Sequence, residues 1–125
     1  MKKILLLAIL ALPIYLNSAV KVGNIDQFNS YINQERVTVV KFYADWCSPC
    51  KQLNPFYTGL ENKYGSNANF LTVNIEKATN IKNKYNASRI PFIMVFKSGK
   101  VIGRMLGLKN INSQLESLIK QHSQA

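Results

Sequence analysis

Cysteine and histidine are nearly absent from this chain. Two cysteines and one histidine among 125 residues fall short of the about four ligands that a structural zinc site takes, and no metal or cofactor is expected. Acidic residues are scarce too: 6 Asp and Glu face 16 Lys and Arg, a formal net charge of +10. The lysines are dispersed rather than clustered, so no nucleic-acid partner is expected. The excess charge is read as a solvated basic surface, with acidic proteins or an anionic membrane as the alternative partners. No apolar run reaches the roughly 20 residues of a comfortable membrane span. Repeats, linkers and composition shifts are also missing, so 125 residues with 47% hydrophobic content make one domain.

The start of the chain stands apart from that domain. Lys2 and Lys3 precede the uncharged stretch Ile4 to Leu16, and Asn17-Ser18-Ala19 follows as a small-residue segment. This is the layout of a secretory signal peptide, residues 1–19, before a domain at 20–125. Ala19 suits the last position before a cut, whereas Asn17 fits poorly two residues earlier, so an uncleaved anchor stays open. No cysteine follows the apolar run, and a lipid-anchored form is not expected. The expected location is periplasmic or secreted. Such a compartment is oxidising and closes cysteine pairs unless electrons are supplied.

The two cysteines lie three apart, in Trp46-Cys47-Ser48-Pro49-Cys50. The preceding run, Val37 to Tyr43, reads as a strand apolar on both faces except at Lys41. From Lys51 onward the pattern is helical. A strand feeding CxxC into a helix start is a redox context rather than a metal one. Free N–H groups and partial positive charge at the helix N-terminus favour thiolate over thiol. Dithiol exchange is the leading reading, and a purely structural disulfide remains open.

The rest alternates between strand and helix. Asn24 or Asp26 can cap a helix with Ile25, Phe28, Tyr31 and Ile32 on its apolar side. The helix from Cys47 to about Tyr64 contains Pro55, which should kink it. Phe70 to Ile75 reads as a strand, and Thr79 to Tyr85 as a short helix capped by Thr79. Pro91 opens a strand at Phe92 to Phe96, Ser98-Gly99 turns, and Lys100 to Leu106 returns antiparallel. A last helix begins near Ile111 with Leu115, Leu118 and Ile119 on one side. The order predicts an α/β protein with a mixed central β-sheet flanked by helices.

These residues resemble the thioredoxin family. Val39 to Lys51 is similar to its active-site segment, Pro55 to the proline within its second helix, and Ile90-Pro91 to its cis-proline loop. Phe96 to Lys100 resembles the family's terminal hairpin, and Gly107 the glycine after its last strand. The resemblance covers about residues 22 to 120 and implies the thioredoxin fold. It implies that Cys47 is an exposed nucleophile attacking a substrate disulfide and that Cys50, one turn deeper, resolves the mixed disulfide. Pro91 is expected cis, facing the cysteines, with Trp46, Ile90 and Phe92 completing a substrate surface.

Three departures qualify the resemblance. Ser48 stands where glycine is usual, and Phe92 where threonine usually follows the proline. Lys41 and Thr72 occupy the places of a buried aspartate and its lysine partner. A cation there should stabilise a thiolate and tune the cysteine pair toward a more oxidising potential. An unpartnered buried lysine is costly, so Lys41 is expected to snorkel to a water-filled pocket or to be partly neutral. The resemblance implies a disulfide reductase; with the leader layout, a monomer acting on disulfide-containing exported proteins is expected, fed by a membrane electron donor because soluble reductants are scarce outside the cytoplasm. The alternative is a disulfide oxidase or isomerase, which the short chain argues against, or a non-catalytic adaptor, which the intact cysteines argue against.

Overall fold

The computed structural model describes residues 19–123. The expected leader therefore lies outside the described residues, apart from Ala19. Five strands form one sheet in the order β1-β3-β2-β4-β5: β1 (Val20–Lys21), β2 (Val37–Tyr43), β3 (Ala68–Asn74), β4 (Phe92–Lys97) and β5 (Lys100–Leu106). Strands β1, β3 and β2 run parallel, and β4 and β5 are antiparallel to their neighbours. The four helices are α1 (Ile25–Ile32), α2 (Ser48–Tyr64), α3 (Thr79–Lys84) and α4 (Ile111–Ser123). Among the described residues no helix is long and apolar enough to cross a membrane.

β2 is central and buried on both faces, which is why it reads as an almost unbroken apolar run. Its side chains alternate across the sheet. Val40 and Phe42 join Phe28, Ile32, Ile81 and Phe96 on one side. Val37 and Val39 join Leu53, Tyr57, Leu60, Leu115 and Ile119 of α2 and α4 on the other. Tyr57 ties its core to the backbone, donating its hydroxyl to the carbonyls of Val39 at 3.1 Å and Leu71 at 2.7 Å.

Local chemistry explains most element ends. The Asn24 side chain accepts from the N–H groups of Asp26 and Gln27, so Asn24 caps α1. Ser98 and Gly99 both have positive φ, 53° and 77°, the backbone a tight antiparallel hairpin requires. Two expectations need correction. Thr79 is the first helical residue of α3 rather than its cap; Ala78 occupies that position and no side chain caps the helix. β3 begins at Ala68, two residues early, because the parallel ladder with β2 already pairs Val37 with Ala68.

Candidate active site

The parallel strands β2 and β3 end at one edge of the sheet, where β4 begins and β5 finishes. The Cys47–Cys50 pair, the Ile90–Pro91 loop and Gly107 all lie at that edge. Cys47 is the N-cap of α2 and Pro49 sits in its first turn, where a missing N–H costs nothing. No acidic residue occupies that turn, so no carboxylate within it offsets the partial positive charge of the helix end. Pro55 lies within α2, where it removes one helical donor.

Cys47 and Cys50 are joined in a disulfide with Cα atoms 5.3 Å apart. The backbone N–H of Cys50 donates to Cys47 Sγ at 3.2 Å. The expected contrast between an exposed Cys47 and a buried Cys50 is absent, since they are 3% and 2% exposed. The closed ring folds Cys47 Sγ back over the first helical turn, so both sulfurs sit within the apolar core. Among the described residues no group of three or more His, Cys, Asp or Glu side chains could hold a metal ion.

The Ile90–Pro91 bond is cis. Pro91 is buried while Ile90 and Phe92 are half-buried, and Ile90 and Phe92 pack on the core cluster that contains both cysteines. Phe92 stacks on Phe42 with centroids 5.7 Å apart. The Pro91 carbonyl accepts from Gly107 N–H at 2.9 Å, and φ of +79° makes glycine the favoured residue there. Trp46 is 67% exposed, and its indole N–H donates to the Glu76 carboxylate. The structure thus brings Trp46, Cys47, Cys50, Ile90, Pro91 and Phe92 to one end of the sheet.

Lys41 lies on the opposite face of β2 from Phe42, under α2 and in register with Thr72. It is 7% exposed, yet it is neither unpartnered nor free in solvent. Its ammonium donates to Asn54 Oδ1 at 2.5 Å and stands 4.8 Å from the Tyr57 ring centroid and 5.7 Å from that of Tyr43. Burial lowers the Lys41 pKa, and the nearby Glu61 carboxylate partly offsets this. Burial raises the Glu61 pKa, against a hydrogen bond from the Ala19 backbone and the charge of Lys41. Burial likewise pushes Tyr57 well above its ordinary value, with the Glu61 charge adding to it. Sequence reasoning missed Asn54, Glu61 and Glu76. Asn54 follows Cys50 by four residues and was legible as its neighbour on the helix, but its contact with Lys41 is long-range.

Comparison with known proteins decides what this arrangement is. The family model described as Thioredoxin matches residues 19–121. The chain is 39% identical over 104 residues to thioredoxin from Chlamydia caviae, covering 83% of this chain and 99% of that one. The chain belongs to the thioredoxin family. It is also 37% identical over 100 residues to the mitochondrial thioredoxin-2 of Schizosaccharomyces pombe, covering 76% of this chain and 74% of that one. The crystal structure of Malassezia sympodialis thioredoxin superposes with a TM-score of 0.78 at 28% identity, covering 86% of this chain and 93% of that one. The mixed sheet and its helices are therefore the thioredoxin fold. As a thioredoxin, the protein is a thiol–disulfide oxidoreductase that reduces disulfide substrates, with Cys47 and Cys50 as its redox pair.

Proposed function

We propose that this thioredoxin works outside the cytoplasm, as a monomer that keeps thiols of exported proteins reduced. The leader layout of Lys2 to Ala19 supports the location, with residues 20–125 as the mature domain. The observation that carries the catalytic reading is the Cys47–Cys50 pair at the N-terminus of α2, with Ile90–Pro91 at the same sheet end. Cys47 attacks as the thiolate, because it occupies the helix N-terminus and the Cys50 backbone N–H donates to its sulfur. Cys50 then attacks Cys47 and releases the reduced substrate.

Trp46, Ile90, Pro91 and Phe92 form the substrate-docking surface in this reading. Exposed Leu106 and Leu108 extend the apolar character of that end. An extended substrate segment lies against the Ile90–Phe92 loop. Soluble reductants are scarce in an oxidising compartment, so a membrane protein supplies electrons to the Cys47–Cys50 disulfide.

Two measurements test the proposal. Dithiothreitol-driven precipitation of insulin chains should accelerate with wild-type protein and lose all acceleration in Cys47→Ser. Fractionation should recover a form beginning at Val20 outside the cytoplasm. Mass spectra showing Met1 on the exported form would replace the cleaved leader with an anchor, and wholly cytoplasmic recovery would remove the export reading.

A further inference from the structure

Asn54 stands on the rim of α2, exposed, yet it accepts the hydrogen bond of a buried lysine from the strand beneath. We propose that Asn54 is a positioning residue for the second half of the exchange. Its carboxamide oxygen holds the Lys41 ammonium one helical turn from Cys50, where the cation stabilises the Cys50 thiolate. The proposal rests on the assignment of Cys50 as the resolving thiol.

Three observations carry it. Residues 50 and 54 are neighbours along one side of a helix, separated by about 6 Å of rise. A cation bound to Asn54 is therefore brought near the base of the cysteine pair. The ammonium is also confined, because it lies between the Asn54 oxygen at 2.5 Å and the Tyr57 and Tyr43 rings at 4.8 and 5.7 Å. Finally, a cleft of about 310 Å³ is lined in part by Tyr43, whose ring flanks the ammonium, and by Thr72, Asn74 and Lys21. Thr72 is the register partner of Lys41, so the cleft opens on the strand pair that carries the lysine.

The half-reaction balances without another reagent. Cys50 gives its thiol proton to solvent, and its thiolate attacks Cys47 Sγ. The Cys47–Cys50 bond forms as the Cys47–substrate bond breaks, and the substrate sulfur leaves as a thiolate that takes a proton from solvent. Over the whole cycle the dithiol is oxidised and the substrate disulfide reduced. Lys41 stays charged throughout and moves no proton itself. Other charges face this region: Glu61 of α2 beside Lys41, and Lys21, Asp45 and Lys77 around the cleft. Tyr57 and Tyr43 flank the ammonium, and Lys51 follows Cys50 on the helix. All remain in place in the variants below.

The test is stopped-flow reaction of the full, reduced protein with limiting 5,5′-dithiobis(2-nitrobenzoate), followed across pH. The first thionitrobenzoate released reports attack by Cys47, and the second reports resolution by Cys50. Asn54→Ala should slow the second phase at pH 7 about tenfold, with its pH midpoint raised about one unit, and should leave the first phase within twofold. Lys41→Met should do the same, and adding Asn54→Ala to Lys41→Met should change nothing further. An unchanged second phase in Asn54→Ala overturns the proposal. So does an Asn54→Ala effect of equal size in the wild-type and Lys41→Met backgrounds, which would give Asn54 a merely structural role. If wild-type protein shows no second phase at all, the assignment of Cys50 fails, and the positioning role falls with it.

Discussion

Replacing Lys41 with Met removes one buried cation while keeping the length of the side chain. Asn54, which accepts its hydrogen bond, lies four residues, or about 6 Å of helical rise, from Cys50. With an effective dielectric between about 20 and 40, two unit charges at that distance interact by about 1.4–2.8 kcal/mol. The higher dielectric is weighted because Asn54 is exposed and water reaches the rim. The sign follows from which redox state carries the thiolate. In the proposed role Lys41 stabilises the reduced form, so its removal should make the protein more reducing. At about 30 mV per 1.4 kcal/mol for a two-electron couple, the reduction potential should fall by about 30–60 mV. Lys41→Asp should shift the potential further in the same direction by opposing the thiolate. The assay is equilibration with glutathione at fixed pH, read by mass spectrometry of alkylated thiols. Potentials of wild type and Lys41→Met within about 10 mV, well under the predicted shift, would refute electrostatic coupling between Lys41 and the cysteine pair.

Further outcomes follow from other buried groups. Tyr57→Phe removes the hydroxyl that serves the Val39 and Leu71 carbonyls, and urea denaturation should show a loss of about 1–3 kcal/mol. Burial raises the Glu61 pKa above its ordinary 4.5, so the folded state binds more protons than the unfolded one and loses stability as pH rises through the shifted value. Glu61→Gln should therefore be more stable than wild type near pH 7, with the gain fading below about pH 4.5; a pH-independent difference would contradict this. Trp46→Ala should slow insulin reduction while leaving the urea midpoint nearly unchanged, because the ring is 67% exposed.

The fold was legible where burial imposed a strong pattern. β2, covered on both faces, announced itself as Val37 to Tyr43, and the Ser98-Gly99 turn fixed the hairpin that follows β4. β1 was not legible: two residues, Val20–Lys21, carry no periodicity, and only pairing with Leu71 and Thr72 makes them a strand. At the site, Cys47 and Cys50 stood out by their spacing, while Trp46, Ile90, Pro91 and Phe92 came from the resemblance to the thioredoxin family, and the sheet gathers all six at one end. Cys47 was misjudged as exposed because ring closure, not position on the helix, decides how far its sulfur is covered. Lys41 was recognisable as an anomaly in an apolar strand. Its solution was not, because the acceptor on Asn54 comes from a helix thirteen residues away, and no local rule pairs those positions.

The central claim is that Cys47 attacks substrate and Cys50 resolves. Mixing each single Cys→Ser variant, reduced, with insulin and weighing the products tests it most directly. A stable mixed disulfide between Cys47 and an insulin chain is expected in Cys50→Ser, and little or no adduct in Cys47→Ser. Equal trapping through Cys50 in Cys47→Ser would contradict the assigned order of attack.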